Sequence, residues 1–405
     1  MALASPQTDP RGAEPLEAAV RHLAKIERAS ASPGEREAAE WIAAELRDLG
    51  CSVEIEEESA HGTYWWPLGL LTAAAGIAGV VGPRGGRGTR ALAALAAMGA
   101  AAGIADDVGG GAQWFRRRLL PRRTTANVVA RLGEEDAART VLLVAHHDAA
   151  RSGTLFHPAP IDWIAQRFPQ LLERSDTTPP VMFPVVGGPL LVGLGALLGV
   201  RTLLGAGAVV SLGAGATFLD VGLHGVVPGA NDNLTGVATL LGVARELRER
   251  PVEGLRVLLV SNGAEESFME GMQGFARRHF PELPVDSTHV VCVDTVGSPE
   301  LLLLEAEGML FMREYPAAFK DLVSECAREA GVHIRRGLRF RNATDGLIAL
   351  RAGYPTVMLG SVDERKFPSN YHWPTDVPDN VRFDSVRDAV RVCEVIVRRL
   401  ARAPG

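Results

Sequence analysis

The chain of 405 residues has little sulfur chemistry: four cysteines, Cys51, Cys292, Cys326 and Cys393, with no CxxC pair among them. That excludes a disulfide framework and a thiolate zinc site, and leaves reduced, structural cysteines as the expectation. A basic excess is missing too. With 42 Lys and Arg against 48 Asp and Glu, the formal charge is -6, so no nucleic-acid partner is expected. A nucleotide loop is also lacking, because GGPLLVG at 187–193 lies inside an apolar block without the strand, glycine-rich turn and helix that cradle phosphates. MALASPQTDPRGAEP at the start shows no apolar run behind a basic segment, so no secretory signal is expected. Disorder is excluded by composition: at 47% hydrophobic the chain can bury a core, and at roughly 150 residues per domain it allows two or three.

Periodicity then sets out the elements. Apolar residues recur at helical spacing from Leu16 to Ile26 and again from Pro33 to Leu49, with Ser32 placed to cap, Pro33 in the first turn, Glu35 to close a capping box and Gly50 to end the helix. CSVEIEEE from Cys51 alternates as a strand with one wet face does. TANVVARL at 125–132, VLLVAHHD at 141–148, LRVLLVSN at 255–262, HVVCVDTVG at 289–297 and YPTVMLG at 354–360 read as further strands. Residues 236–250, 317–330 and 383–399 read as helices. Strand and helix in alternation imply an α/β fold, a three-layer α/β/α arrangement with helices on both faces of a sheet.

Two blocks interrupt that alternation. WWPLGLLTAAAGIAGVVG at 65–82 and ALAALAAMGAAAGIA at 91–105 are charge-free runs joined by a segment bearing Arg84, Arg87 and Arg90, and a second pair occupies 181–219 around Arg201. The domain division expected is a polar domain of 1–60 and 125–405, with apolar helical hairpins inserted at 65–105 and 181–219. Run length, Gly and Ala content and the Trp65–Trp66 pair favour membrane insertion, with lipid as a partner; the alternative is a buried helical subdomain or lid in a soluble cytoplasmic protein. Two hairpins return the chain to the side it started from. Arg116, Arg117, Arg118, Arg122 and Arg123, against three arginines in the first hairpin loop, favour a cytoplasmic polar domain.

Chemistry-bearing side chains gather where the strands should end. His146 and Asp148 are two apart on an extended run, hence on one face, while His147 faces away. Imidazole suits zinc, and a carboxylate behind it can hold the other ring nitrogen; alone, the pair also fits a polar turn. Asp232 in PGANDNLTG precedes a helix, where capping is the ordinary role. Glu265 and Glu266 are adjacent acids after a buried-looking strand, costly unless a cation or proton compensates them, or else a solvated helix start. Asp294 interrupts VVCVDTVG, and His372 lies in NYHWPTD, where Asp376 is placed to orient it. Together His146, Asp232, Glu266, Asp294 and His372 offer two imidazoles and three carboxylates, enough for two divalent ions if one carboxylate bridges. Such a pair activates water and polarises a carbonyl, with Glu265 as general base, so amide hydrolysis is the expected reaction.

AHHD, GANDNLTG, AEES, VDTVG and NYHWPTD, in this order, resemble the motifs of the co-catalytic zinc aminopeptidase family, typified by bacterial leucyl aminopeptidases. The resemblance covers roughly 14–60, 125–150 and 228–400. It implies a mixed, mainly parallel sheet between helices, with two Zn2+ ions, or other divalent ions, at the strand ends: His146 and Asp294 on one, Glu266 and His372 on the other, and Asp232 bridging. It further implies Glu265 as catalytic base, Asp148 as the acid behind His146, and peptides with a free amino terminus as substrates. Zinc carboxypeptidase or dipeptidase activity, glutaminyl cyclisation, and a non-catalytic membrane receptor or scaffold are the competing readings. The two apolar insertions depart from the secreted members of the family.

Overall fold

The computed structural model describes residues 10–402, so most of the amino-terminal segment read for a secretory signal lies outside the described residues. Seven strands form one mixed sheet: β1 (Ser52–Ala60), β2 (Arg123–Gly133), β3 (Thr140–His146), β4 (Arg256–Asn262), β5 (Thr288–Val293), β6 (Glu300–Leu303) and β7 (Thr356–Val362), in the order β1-β2-β4-β3-β5-β7-β6. The central four, β4, β3, β5 and β7, are parallel to one another, while β1, β2 and β6 join antiparallel at the two edges. Strand β6 was not expected from LLLL at 301–304, because an apolar run of that length has no period to read.

The helices of ten residues or more among the described residues are, in chain order, α1 (Pro10–Leu23), α2 (Pro33–Asp48), α3 (Trp65–Val81), α4 (Arg87–Val108), α5 (Met182–Leu198), α6 (Arg201–Leu223), α7 (Thr235–Glu249), α8 (Glu270–His279), α9 (Ala317–Glu329) and α10 (Phe383–Arg402). Alternation along the strands supplies two faces. Val141, Leu143, Ala145, Val257 and Leu259 point into a core shared with α1, α2, α7, α9 and α10. Leu142, Val144, Leu258, Val260 and Val290 point the other way, into a core shared with Met272 and Phe275 of α8 and continuous with the hairpin helices. All four cysteines are buried and free.

The two hairpins come together as one four-helix bundle, in which α3 packs on α4, α5 and α6, and α5 packs on α4 and α6. Small residues bring the backbones close. A Cβ on Gly207 of α6 would lie 2.6 Å from the Val192 nitrogen and 2.8 Å from the Gly188 oxygen of α5, and one on Gly76 of α3 would lie 2.6 Å from Leu212. The outer surface of the bundle is apolar: Leu95, Val209 and Leu223 are 71%, 73% and 74% exposed, and Leu92, Leu197 and Leu198 are similarly open. By length and composition α4, α6 and the segment Trp65–Arg84 can cross a membrane; α5 is shorter, at 17 residues.

Arg116, one of the basic residues that follow α4, is wholly buried against Asp107.

Candidate metal centre

Strand β3 ends at His146, and the pleat sends its ring to one side and His147 to the other, where His147 Nδ1 lies 3.0 Å from Ser261 Oγ. Asp148 sits beneath the pocket, fully buried. Its Oδ1 accepts the Glu265 amide at 3.0 Å; its Oδ2 accepts the Glu266 amide at 3.1 Å and the Ser30 hydroxyl at 2.6 Å. The same carboxylate is 3.4 Å from His146 Nδ1, which leaves Nε2 facing the cavity. One acid thus holds both an imidazole and the turn carrying the two glutamates.

The turn before α7 presents Asp232, whose peptide bond to Asn233 is cis. Capping falls to Asn233: its Oδ1 accepts the amides of Gly236 and Thr295, both at 3.0 Å. Asp232 is free to face the cavity, Oδ1 3.2 Å from His146 Nε2 and Oδ2 3.1 Å from His372 Nε2. His372 Nε2 is also 3.3 Å from Glu266 Oε1. Asp294, one residue beyond β5, and Glu265 place oxygens 3.9 and 4.0 Å from His146 Nε2. Asp376 does not orient His372 as the sequence suggested. Its oxygens accept the Asn231 and Asp232 amides at 2.7 and 3.1 Å, because the 229–234 turn folds under the loop that carries it, and His372 Nδ1 has no partner.

All six residues line one small cavity of about 20 Å³, together with Thr295, Phe340, Asn342, Met358 and Tyr371. Its electrostatics are unusual. Burial pushes Glu265 and Glu266 above the ordinary carboxylate range and Asp294 up to about 7. Asp232, although buried, is held well below that range by His146 and His372. Burial works against the charged form of His372, yet Glu266 and Asp232 raise it to about 10. Among the described residues no Lys or Arg lines the cavity, so carboxylates outnumber cations where desolvation is most costly.

That imbalance tests whether a metal fits. Ligand atoms of His146, Asp232 and Glu266 lie within 4.8 Å of one another, and the buried Glu266 Oε1, 3.3 Å from His372 Nε2, makes no hydrogen bond of good geometry. Imidazole nitrogen and carboxylate oxygen around a shared point are a zinc donor set, and divalent charge offsets the surplus acid.

Several contributors were not legible in sequence. Ser30 reaches Asp148 across 118 positions. Glu35 does not close a capping box: the Ser32 side chain accepts the Glu35 amide, but the Glu35 carboxylate turns inward and accepts from Ala31, Ala126 and Ala264 amides and the Thr125 hydroxyl. A strap at 154–181 covers the site. Phe156 meets the His372 ring edge-on at 4.5 Å, Arg365 pairs with Asp162, and Lys366 donates to carbonyls of Leu172, Glu173 and Ser175.

Imidazoles and carboxylates converge beyond the parallel strands of a helix-covered sheet, an arrangement suited to metal-dependent hydrolysis. Residues 217–397 match Peptidase family M28, and that match supports a zinc metallopeptidase. Solved structures share the fold. An aminopeptidase from Aneurinibacillus sp. strain AM-1 aligns at 14% identity over 97% of this chain and 94% of that one, with a TM-score of 0.56. A leucine aminopeptidase precursor from Bacteroides thetaiotaomicron aligns at 15% identity over 98% and 99%, TM-score 0.54. A glutaminyl cyclase from the same organism aligns at 15% identity over 98% and 99%, TM-score 0.55. No curated protein matches the chain.

Proposed function

We propose that the protein is a membrane-embedded aminopeptidase that removes amino-terminal residues from peptides, with two zinc ions held by His146, Asp232, Glu266, Asp294 and His372 and with Asp232 between them. The observation that carries this is Glu265, a largely enclosed carboxylate with 11% of its side chain exposed, beside the donor set and with its amide fixed by Asp148. When bound, zinc supplies Lewis acidity toward a carbonyl and lowers the pKa of water. The remaining work falls to the chain. Glu265, with its proton affinity raised by burial, takes a proton from water and returns it to the leaving amine. Asp148 keeps Nε2 of His146 turned inward. Tyr371 lines the small cavity and Phe156 packs edge-on against the His372 ring, which narrows the approach to the donor set. The apolar flank of the bundle supports lipid as its surroundings, and exposed Trp66, Trp114, Phe183, Trp163 and Phe168 cluster at its domain-side end and on the strap, as interfacial aromatics do.

The test is zinc content and hydrolysis of free-amine against N-acetylated dipeptide amides by detergent-purified protein, beside Glu265→Gln. Expected are about two zinc ions per chain and turnover confined to the free amine and lost in the variant. Activity on blocked amines, or activity indifferent to Glu265, overturns the reading. Glutaminyl cyclisation is the second reading, favoured by one observation: Asp294 stands 3.9 Å from His146, outside the tight group of His146, Asp232 and Glu266. About one zinc per chain and release of ammonia from amino-terminal glutamine would select it.

A further inference from the structure

Three ties run from the roots of the hairpins to the turn bearing Glu265 and Glu266. Arg116, just beyond α4, is gripped by Asp107 in the last turn of α4, Nε to Oδ1 at 2.7 Å and Nη2 to Oδ2 at 2.8 Å, and its Nη1 donates to the Ser267 carbonyl at 2.7 Å. His61 and Gly62, just before α3, donate their amides to Glu270 Oε2 at 2.8 and 3.1 Å, and the Ser267 hydroxyl donates to the same oxygen at 2.7 Å. Tyr64 stacks on Phe268 at 5.4 Å and meets Phe218 of α6 edge-on at 6.2 Å, so the second hairpin takes part as well.

The turn needs external support. Ala264, Phe268 and Met269 hold φ of +51°, +71° and +57°, a left-handed region that side-chain-bearing residues adopt reluctantly and keep only where their surroundings dictate it. Asp107 and Arg116 are 1% and 0% exposed. A buried ion pair is a poor source of stability compared with apolar packing, but a two-bond guanidinium–carboxylate contact fixes direction. Here the direction is toward the carbonyl one residue after Glu266.

We propose that the buried Asp107–Arg116 pair is a positioning device, through which the helical bundle sets the place of Glu265 and Glu266. The bundle and the catalytic turn then move as one body, and the hairpins are part of the active site's framework as well as its anchor. This rests on the roles given above to Glu265 and Glu266.

The experiment uses the full chain in detergent, with Asp107→Asn and Arg116→Lys, and Leu71→Ala as a bundle-core control that does not touch the turn. Zinc retention is read by chelator competition, kcat and KM on the free-amine substrate, and Tm by unfolding. Expected is a loss of roughly 10–100-fold in zinc affinity and kcat for Asp107→Asn, with KM within about twofold, and little change in either for Leu71→Ala at a comparable fall in Tm. Wild-type zinc affinity and kcat in Asp107→Asn overturn the proposal, as does an equal loss in Leu71→Ala. Should Asp107→Asn fail to fold, Arg116→Lys, which keeps the charge but not the two-bond grip, carries the same expectations. Zinc retention does not depend on which bond is cut, so a fall there in a protein without aminopeptidase activity leaves the positioning role standing while the functional reading fails.

Discussion

The strand-end pocket and the four-helix bundle are both packed interiors, and they are specified in opposite ways. In and beneath the pocket, the chemistry-bearing side chains are oriented by nameable neighbours: Asp148 by two amides and a hydroxyl, Asp232 by two imidazoles. In the bundle, closeness is achieved by what is missing, the side chains of Gly76, Gly188 and Gly207, and the outward face is leucine and valine. A polar site of this kind fails by loss of one direction; an apolar one fails by gain of volume.

The sharpest break in that comparison is Glu265→Gln, which removes a proton acceptor and leaves volume almost unchanged. Steady-state kinetics should show kcat lower by about 10²–10⁴-fold with zinc content intact. Asp148→Asn comes next. It weakens the hold on the Glu265 and Glu266 amides and on His146, and kcat or zinc affinity should fall about 10–100-fold, as metal-content and rate measurements would reveal. In the bundle the opposite perturbation applies. Gly207→Leu forces α5 and α6 apart and should lower stability by about 1–3 kcal/mol in detergent melts, with zinc content unchanged in the protein that remains folded; an undiminished Tm would show that the contact does not hold the bundle.

The smallest effect tests a carboxyl that belongs to neither region. Burial raises Glu307 to about 8 from an ordinary 4.5, and the Thr344 hydroxyl lies 3.1 and 3.2 Å from its oxygens. The folded state therefore binds the proton more tightly than the unfolded state does. The stability contribution is complete below about 4.5 and is lost as pH rises through about 8, with a slope of at most about 1.4 kcal/mol per pH unit. Melting curves from pH 5 to 8.5 should show this slope reduced in Glu307→Gln; identical slopes would mean that the carboxyl is ionised at neutral pH.

The comparison also explains what the sequence made legible. Strands β2 to β5 and β7 and helices α2, α7 and α10 follow from period, and the pocket residues His146, Asp232, Glu265, Glu266, Asp294 and His372 could be selected because metal chemistry uses few residue types and strand ends concentrate them. Residues that act through distant backbone atoms left no such mark. Glu35 obeys a local capping pattern and is used instead on Ala264, 229 positions away. Asp376 was paired with its near neighbour His372, whereas the fold gives it the amides of 231 and 232. Arg116 looked like one of five basic residues at a membrane edge until burial separated it from the others. Local pattern indicates which groups are available; long-range amides decide what each one holds.

The strap at 154–181 begins at Thr154, bonded to Asp220 near the end of α6, and ends where α5 starts, so both of its feet stand on the same bundle. The chain before the strap supplies β1 to β3 and the first hairpin; the chain after it supplies the other strands and the second hairpin, and the two portions interleave in both sheet and bundle. Cutting the backbone between Ala159 and Arg174 should therefore yield two fragments that do not separate. The protein can be made as two co-expressed pieces divided there, and such a split form should still assemble into a single enzyme.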